Sequence, residues 1–148
     1  MKCYDWKENR LTLDDIYGNK FDFKLKGAKT IVSGKSASGK SFIYNLIKKM
    51  KDGDSRDSKY DTSNIILINK NNVNDMRQYK DRLIIIDRAE IILNKDIVKF
   101  INEDLNNRYL IFCRKHIGLL LSPNYYGQMV NDNGTFRIVY DFNVRGWN

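Results

Sequence analysis

Apolar residues enter this chain in two rhythms. Continuous runs at Thr30-Ile31-Val32, Ile65-Ile66-Leu67-Ile68, Leu83-Ile84-Ile85-Ile86 and Tyr109-Leu110-Ile111-Phe112-Cys113 predict short strands buried on both faces. Between them, Phe42, Ile43, Leu46, Ile47 and Met50 recur at helical spacing and predict a helix over 40–51. A short polar helix is expected near 72–80, and Ile97, Val98, Phe100, Ile101 and Leu105 predict another amphipathic one. The second rhythm is alternation. Leu11-Thr12-Leu13 and Phe21-Asp22-Phe23-Lys24-Leu25 flank the turn pair Gly18-Asn19 and predict a hairpin. Thr135 to Tyr140 predicts one more strand after Pro123, and the aperiodic polar stretch 51–63 reads as an exposed loop.

Strands that alternate with helices imply an α/β fold, with a parallel sheet covered on both faces and ligands at the carboxyl ends of its strands. A chain of 148 residues suits a single core. The expected organisation is one domain over 1–148, with 1–27 as a hairpin appendage and 28–148 as the core.

Composition narrows the picture in three ways. No apolar run approaches the ~20 residues of a membrane helix, and Met1 to Arg10 mixes charge with aromatics, unlike a signal peptide; a soluble cytoplasmic protein without membrane contact is expected. The two cysteines, Cys3 and Cys113, are far apart and no histidine cluster accompanies them, which argues against a disulfide or a cysteine metal site. The net charge of +8 admits two readings, a solvated basic surface serving a polyanionic nucleotide or a nucleic-acid face. The lysines are scattered, without a dense basic tract, so nucleic acid is the weaker reading.

The chemistry concentrates at Gly34-Lys35-Ser36-Ala37-Ser38-Gly39-Lys40-Ser41, a full match to G-x-x-x-x-G-K-[ST] between an apolar strand and an amphipathic helix. Gly34 and Gly39 permit close backbone approach, so that successive N–H groups can form an anion nest at a helix N-terminus. Lys40 is expected at the β- and γ-phosphates, and the Ser41 hydroxyl at Mg²⁺. Phe42 completes the expected cofactor-binding stretch. Asp87, ending the run Leu83 to Ile86, is the matching second metal-site residue.

With these two elements the chain resembles the P-loop NTPase superfamily, and the additional strand at 64–69 resembles its additional-strand branch, which includes the AAA and STAND ATPases. The resemblance implies a three-layer fold whose mostly parallel five-stranded core sheet has the order 5-1-4-3-2. It implies ATP and Mg²⁺ as cofactors. Glu90, three residues beyond Asp87, would be the catalytic base, or else a helix N-terminal acid favoured by the dipole. Arg114, after the fourth strand, would be a γ-phosphate sensor, or else a surface cation; His116 reads as a plain loop residue. Overall length, the two motifs and Gly118-Leu119-Leu120-Leu121-Ser122-Pro123 also resemble small ATP-binding proteins of low-GC Gram-positive bacteria and their mobile elements.

Other branches fit less well. Glu90 stands where a GTPase has the glycine of D-x-x-G, no L-S-G-G-Q signature is present, and the loop 51–63 holds only Arg56 as a kinase-lid arginine. Three functions follow: an ATPase or ATP-dependent switch whose site a protein partner or second copy completes, a nucleotide-sensing module without turnover, and a phosphotransferase.

Overall fold

The computed structural model describes residues 2–33, 40–53, 60–114 and 125–140. Its strands are β1 (Tyr4–Asp5), β2 (Arg10–Asp14), β3 (Lys20–Lys24), β4 (Lys29–Ser33), β5 (Ile65–Ile68), β6 (Leu83–Ile86), β7 (Arg108–Cys113), β8 (Tyr125–Asp132) and β9 (Thr135–Tyr140). They form one nine-stranded sheet in the order β1-β2-β3-β9-β8-β4-β7-β6-β5. Pairing is parallel from β8 through β4, β7 and β6 to β5, and also between β3 and β9; β1–β2, β2–β3 and β8–β9 are antiparallel.

This architecture corrects the expected fold. The protein is a strand-rich, mixed, barrel-like sheet with few helices, not a three-layer α/β fold around a five-stranded parallel sheet, and it does not resemble a P-loop NTPase. Two pairings account for the difference. The expected last strand, β9, does not join the apolar strands; it pairs antiparallel with β8, a strand the sequence reading missed. The hairpin β2–β3 is no appendage either, because Lys20 and Phe21 of β3 register with Thr135 and Phe136 of β9 and merge it into the same sheet.

The ends of the sheet approach each other. Lys2 bridges to Asp61, the Cys3 N–H donates to the Asp61 carbonyl at 3.0 Å, and Asn64 Nδ2 donates to the Tyr4 carbonyl at 2.8 Å. The segment beside β1 is thereby tied to the residues that lead into β5.

Side-chain alternation builds an apolar cluster on each face. Val32, Leu83, Ile85, Leu110 and Phe112 point to one face, where they meet α1 (Lys40–Lys51) through Ile43, Leu46, Ile47 and Met50, and where β2 and β3 add Leu11, Leu13, Phe21 and Phe23. Ile31, Ile84, Ile86, Ile111 and Cys113 point to the other. There they meet a 3₁₀ turn (Val73–Gln78), the single turn α2 (Ala89–Ile92) and α3 (Lys95–Glu103).

Two helical expectations change. The segment near 72–80 winds as a 3₁₀ turn, in which Asn69 and Asn72 side chains satisfy nearby backbone groups instead of an α-helical ladder. α3 starts where Asn94 Oδ1 accepts from the Ile97 N–H at 2.9 Å and stops at Glu103, so Leu105 lies outside it, almost fully exposed. The stop comes from Asp104. Its carboxylate accepts from the Asn106 N–H, from Asn107 Nδ2 and from the Tyr109 hydroxyl, which holds an extended turn into β7. Burial first, and then Asp104, push the Tyr109 phenol far above its ordinary range.

Candidate functional site

Because β4, β5, β6 and β7 run parallel, their carboxyl ends lie on one edge of the sheet, at Ser33, Ile68, Ile86 and Cys113. Residues Gly34, Lys35, Ser36, Ala37, Ser38 and Gly39, which follow β4, lie outside the described residues, as does His116. Lys40 opens α1, but its side chain is likewise outside them. Ser41 is the first motif residue whose contacts are seen.

Ser41 Oγ donates to Asp87 Oδ2 at 3.1 Å across 46 residues of sequence. Asp87 directly follows β6, and its other oxygen, Oδ1, accepts from the Arg88 N–H at 3.0 Å. Arg88 adopts the left-handed conformation, with φ 54° and ψ 50°. A non-glycine residue held there stores strain of about 1–3 kcal/mol, which surrounding contacts must offset. The turn into α2 thus fixes the Asp87 carboxylate from its own backbone while Ser41 meets it from α1.

Tyr44, one turn beyond Ser41 on α1, reaches the same edge, with its hydroxyl donating to the Ile68 carbonyl at 3.0 Å. Burial raises the phenol pKa and the Asp87 charge raises it further. Sequence reasoning missed Tyr44, although its i+3 relation to Ser41 was a usable signal. It ties α1 to the end of β5.

Glu90 sits in α2 with Oε1 accepting from the Arg114 backbone N–H at 3.3 Å. Its other oxygen, Oε2, is buried and has no hydrogen-bond partner among the described residues. Arg114 follows β7 and is exposed, and the structure joins it to Glu90 through its backbone. Phe42 turns elsewhere. Its ring stacks on Phe21 at 5.6 Å between centroids, and Phe21 stacks in turn on Phe136 at 4.8 Å.

Whether Mg²⁺ suits Ser41 and Asp87 can be judged from their oxygens. Adjacent ligands of an octahedral Mg²⁺ at 2.0–2.1 Å stand about 2.9 Å apart, close to the 3.1 Å seen here. Mg²⁺ commonly takes one or two protein oxygens and completes its shell with water and phosphate. The pair fits, even though the described residues hold no cluster of three histidines, cysteines or carboxylates.

Comparison with known proteins adds no relative: no family model, curated protein or solved structure matches the chain. The resemblance to additional-strand ATPases and to small ATP-binding proteins of low-GC bacteria is therefore corrected on both counts, by the missing match and by the mixed sheet. No helix among the described residues is long and apolar enough to cross a membrane.

Proposed function

We propose that the protein binds the phosphates of a nucleoside triphosphate, ATP with Mg²⁺, at Gly34 to Ser41 and Asp87, and uses that binding as a switch or an ATPase toward a protein partner or a second copy of itself. The reading rests on this chain's own residues and not on kinship. The observation that carries it is the Ser41–Asp87 contact at 3.1 Å, which joins the end of the glycine-rich motif to the acid that ends an apolar strand.

In this reading backbone N–H groups and Lys40 hold phosphate oxygens, while Ser41 and Asp87 hold the metal. When bound, Mg²⁺ would neutralise phosphate charge. Glu90 favours turnover over sensing alone, because it stands in the first turn after Asp87 and its Oε2 is engaged by no described residue, the position a general base would take. Such a protein would work in the cytoplasm, where magnesium nucleotides are plentiful.

Calorimetry of ATP binding with and without Mg²⁺ tests the proposal. Binding should need Mg²⁺, and Lys40→Ala should lose about 1.5–3 kcal/mol with the charge-assisted contact. Asp87→Asn should remove most of the Mg²⁺ dependence. No ATP binding, or unchanged affinity in both variants, overturns the assignment. Phosphate release abolished by Glu90→Gln separates an ATPase from a sensing module, and transfer of the γ-phosphate to a molecule other than water would indicate a phosphotransferase. A gel shift with steep salt dependence would add a nucleic-acid partner.

A further inference from the structure

Two consecutive residues at the start of α1 reach opposite halves of the sheet. Ser41 meets Asp87, which follows β6, whereas the Phe42 ring meets Phe21 of β3. In the strand order β3-β9-β8-β4-β7-β6, those two strands lie on either side of β4, whose carboxyl end leads into the glycine-rich motif. A ligand of the motif that starts at Asp87 and crosses β4 is therefore headed for Phe42.

On the β3 side the edge carries a wall. β8 runs parallel to β4, β9 antiparallel to β8, and β3 parallel to β9, so β3 and β9 begin at the edge where β4 ends. Val32 pairs with Gly127, which sets Ser33 level with Gln128. Met129 to Asp132 then carry β8 about 13 Å beyond β4, at about 3.3 Å per residue. Phe136 pairs with Asn131 on this projecting stretch, and Phe21 pairs with Phe136. Three rings stack there. Phe21 is buried and stacks on Phe136, with 13° between the planes, and on Phe42, with 29°. Phe42 is the most exposed of the three, and 44% of it remains open to solvent.

We infer that the base of the bound nucleotide stacks on Phe42 and that this ring sets a preference for purines. The place of the base rests on reading Gly34 to Ser41 and Asp87 as the phosphate and metal site. Mg²⁺ bridges β- and γ-oxygens, so a metal at Ser41 and Asp87 holds the γ end toward β6. The α-phosphate and nucleoside are left to extend the other way, past β4 to the wall. Phe42 is anchored there by Phe21, which keeps its ring in one orientation and lowers the entropy lost when a base stacks on it. Stacking grades bases by the ring area they offer, and purines offer more.

Calorimetric titrations with the Mg²⁺ complexes of ATP, CTP and ribose 5-triphosphate, which lacks only the base, test it. The parent protein should bind ATP about tenfold more tightly than ribose 5-triphosphate, with CTP between them. Phe42→Ala should remove that gap by weakening ATP about tenfold and leaving ribose 5-triphosphate unchanged. Phe42→Leu keeps apolar bulk against Phe21 and should also narrow the gap, while Phe42→Trp should restore it; circular dichroism checks the fold of each. A gap that survives Phe42→Ala and Phe42→Leu, or an equal fall for all three ligands, overturns the inference and leaves Phe42 a packing residue of α1. Equal binding of the three ligands to the parent overturns the base stack but not the phosphate site. Binding of none of them overturns both.

Discussion

The strands β4 to β7 and the strands β2, β3 and β9 belong to one sheet, yet they meet solvent differently. β4 and β6 are buried at every residue, and β7 at all but its first. β2 and β3 bury only alternate residues, and β9 buries none fully. Strands parallel to both neighbours, as β4, β6 and β7 are, need covering on both faces, whereas strands with an antiparallel neighbour, as β2, β3 and β9 each have, can leave one face wet. The difference assigns tasks: the doubly covered strands hold the candidate phosphate site at their carboxyl ends, and the half-covered ones extend the sheet.

The sharpest test of that contrast is Phe112→Ala in β7. The ring is fully buried among residues from both halves of the sheet, so its loss should cost about 3–5 kcal/mol in chemical denaturation. A cost below 1 kcal/mol would show the parallel strands to be loosely packed. Next comes the seam between the halves, where β8 pairs with β4 on one side and β9 on the other. A Cβ on Gly127 would stand 2.5 Å from Ile138 Cγ2 and 3.1 Å from the Val139 carbonyl oxygen. Ile138 is β-branched and stiff, so Gly127→Ala should destabilise by about 1–3 kcal/mol. Its thermal midpoint measures this, and an unchanged midpoint would mean that β9 can yield.

Smaller effects belong to the half-covered strands. Arg10 joins Asp22 through two hydrogen bonds, at 2.7 and 2.6 Å, on a partly exposed surface. The guanidinium lowers the Asp22 pKa below its ordinary value. Stability from a depressed carboxyl is complete above the unfolded pKa, about 3.9, and is lost as pH falls through the folded one. Asp22→Asn should therefore cost no more than about 1 kcal/mol at neutral pH, with the gap from the parent closing in acid. Smallest of all, Val139→Thr on the exposed side of β9 should change unfolding by less than about 0.5 kcal/mol; a larger loss would mean that this side is covered after all.

What could be read from the sequence follows the same division. The strands β4, β6 and β7 were legible because a doubly buried strand is an unbroken apolar run, and β5 is such a run too, although its Ile66 and Leu67 are only half-buried. β8 was not, since Tyr125-Tyr126-Gly127-Gln128-Met129-Val130-Asn131-Asp132 mixes a glycine and amides into its alternation. Missing it displaced β9 and suggested a smaller, mostly parallel sheet. In the candidate site, the nearness of Ser41 to Asp87 was legible because a helix start and a strand end meet at one edge. The Tyr44 bond to Ile68 and the Phe42 stack on Phe21 were not, because both depend on where α1 lies against the sheet.

The tie between the Lys2–Cys3 segment and Asp61 carries a consequence for solubility. An open sheet exposes unpaired N–H and C=O groups that invite strands of other molecules. Here the terminal strands are only two and four residues long, and the Cys3 N–H is already taken by the Asp61 carbonyl. The N-terminal segment thus acts as a guard against self-association. Removing residues 1–5 should leave a protein whose light scattering rises with concentration, well before its secondary structure is lost.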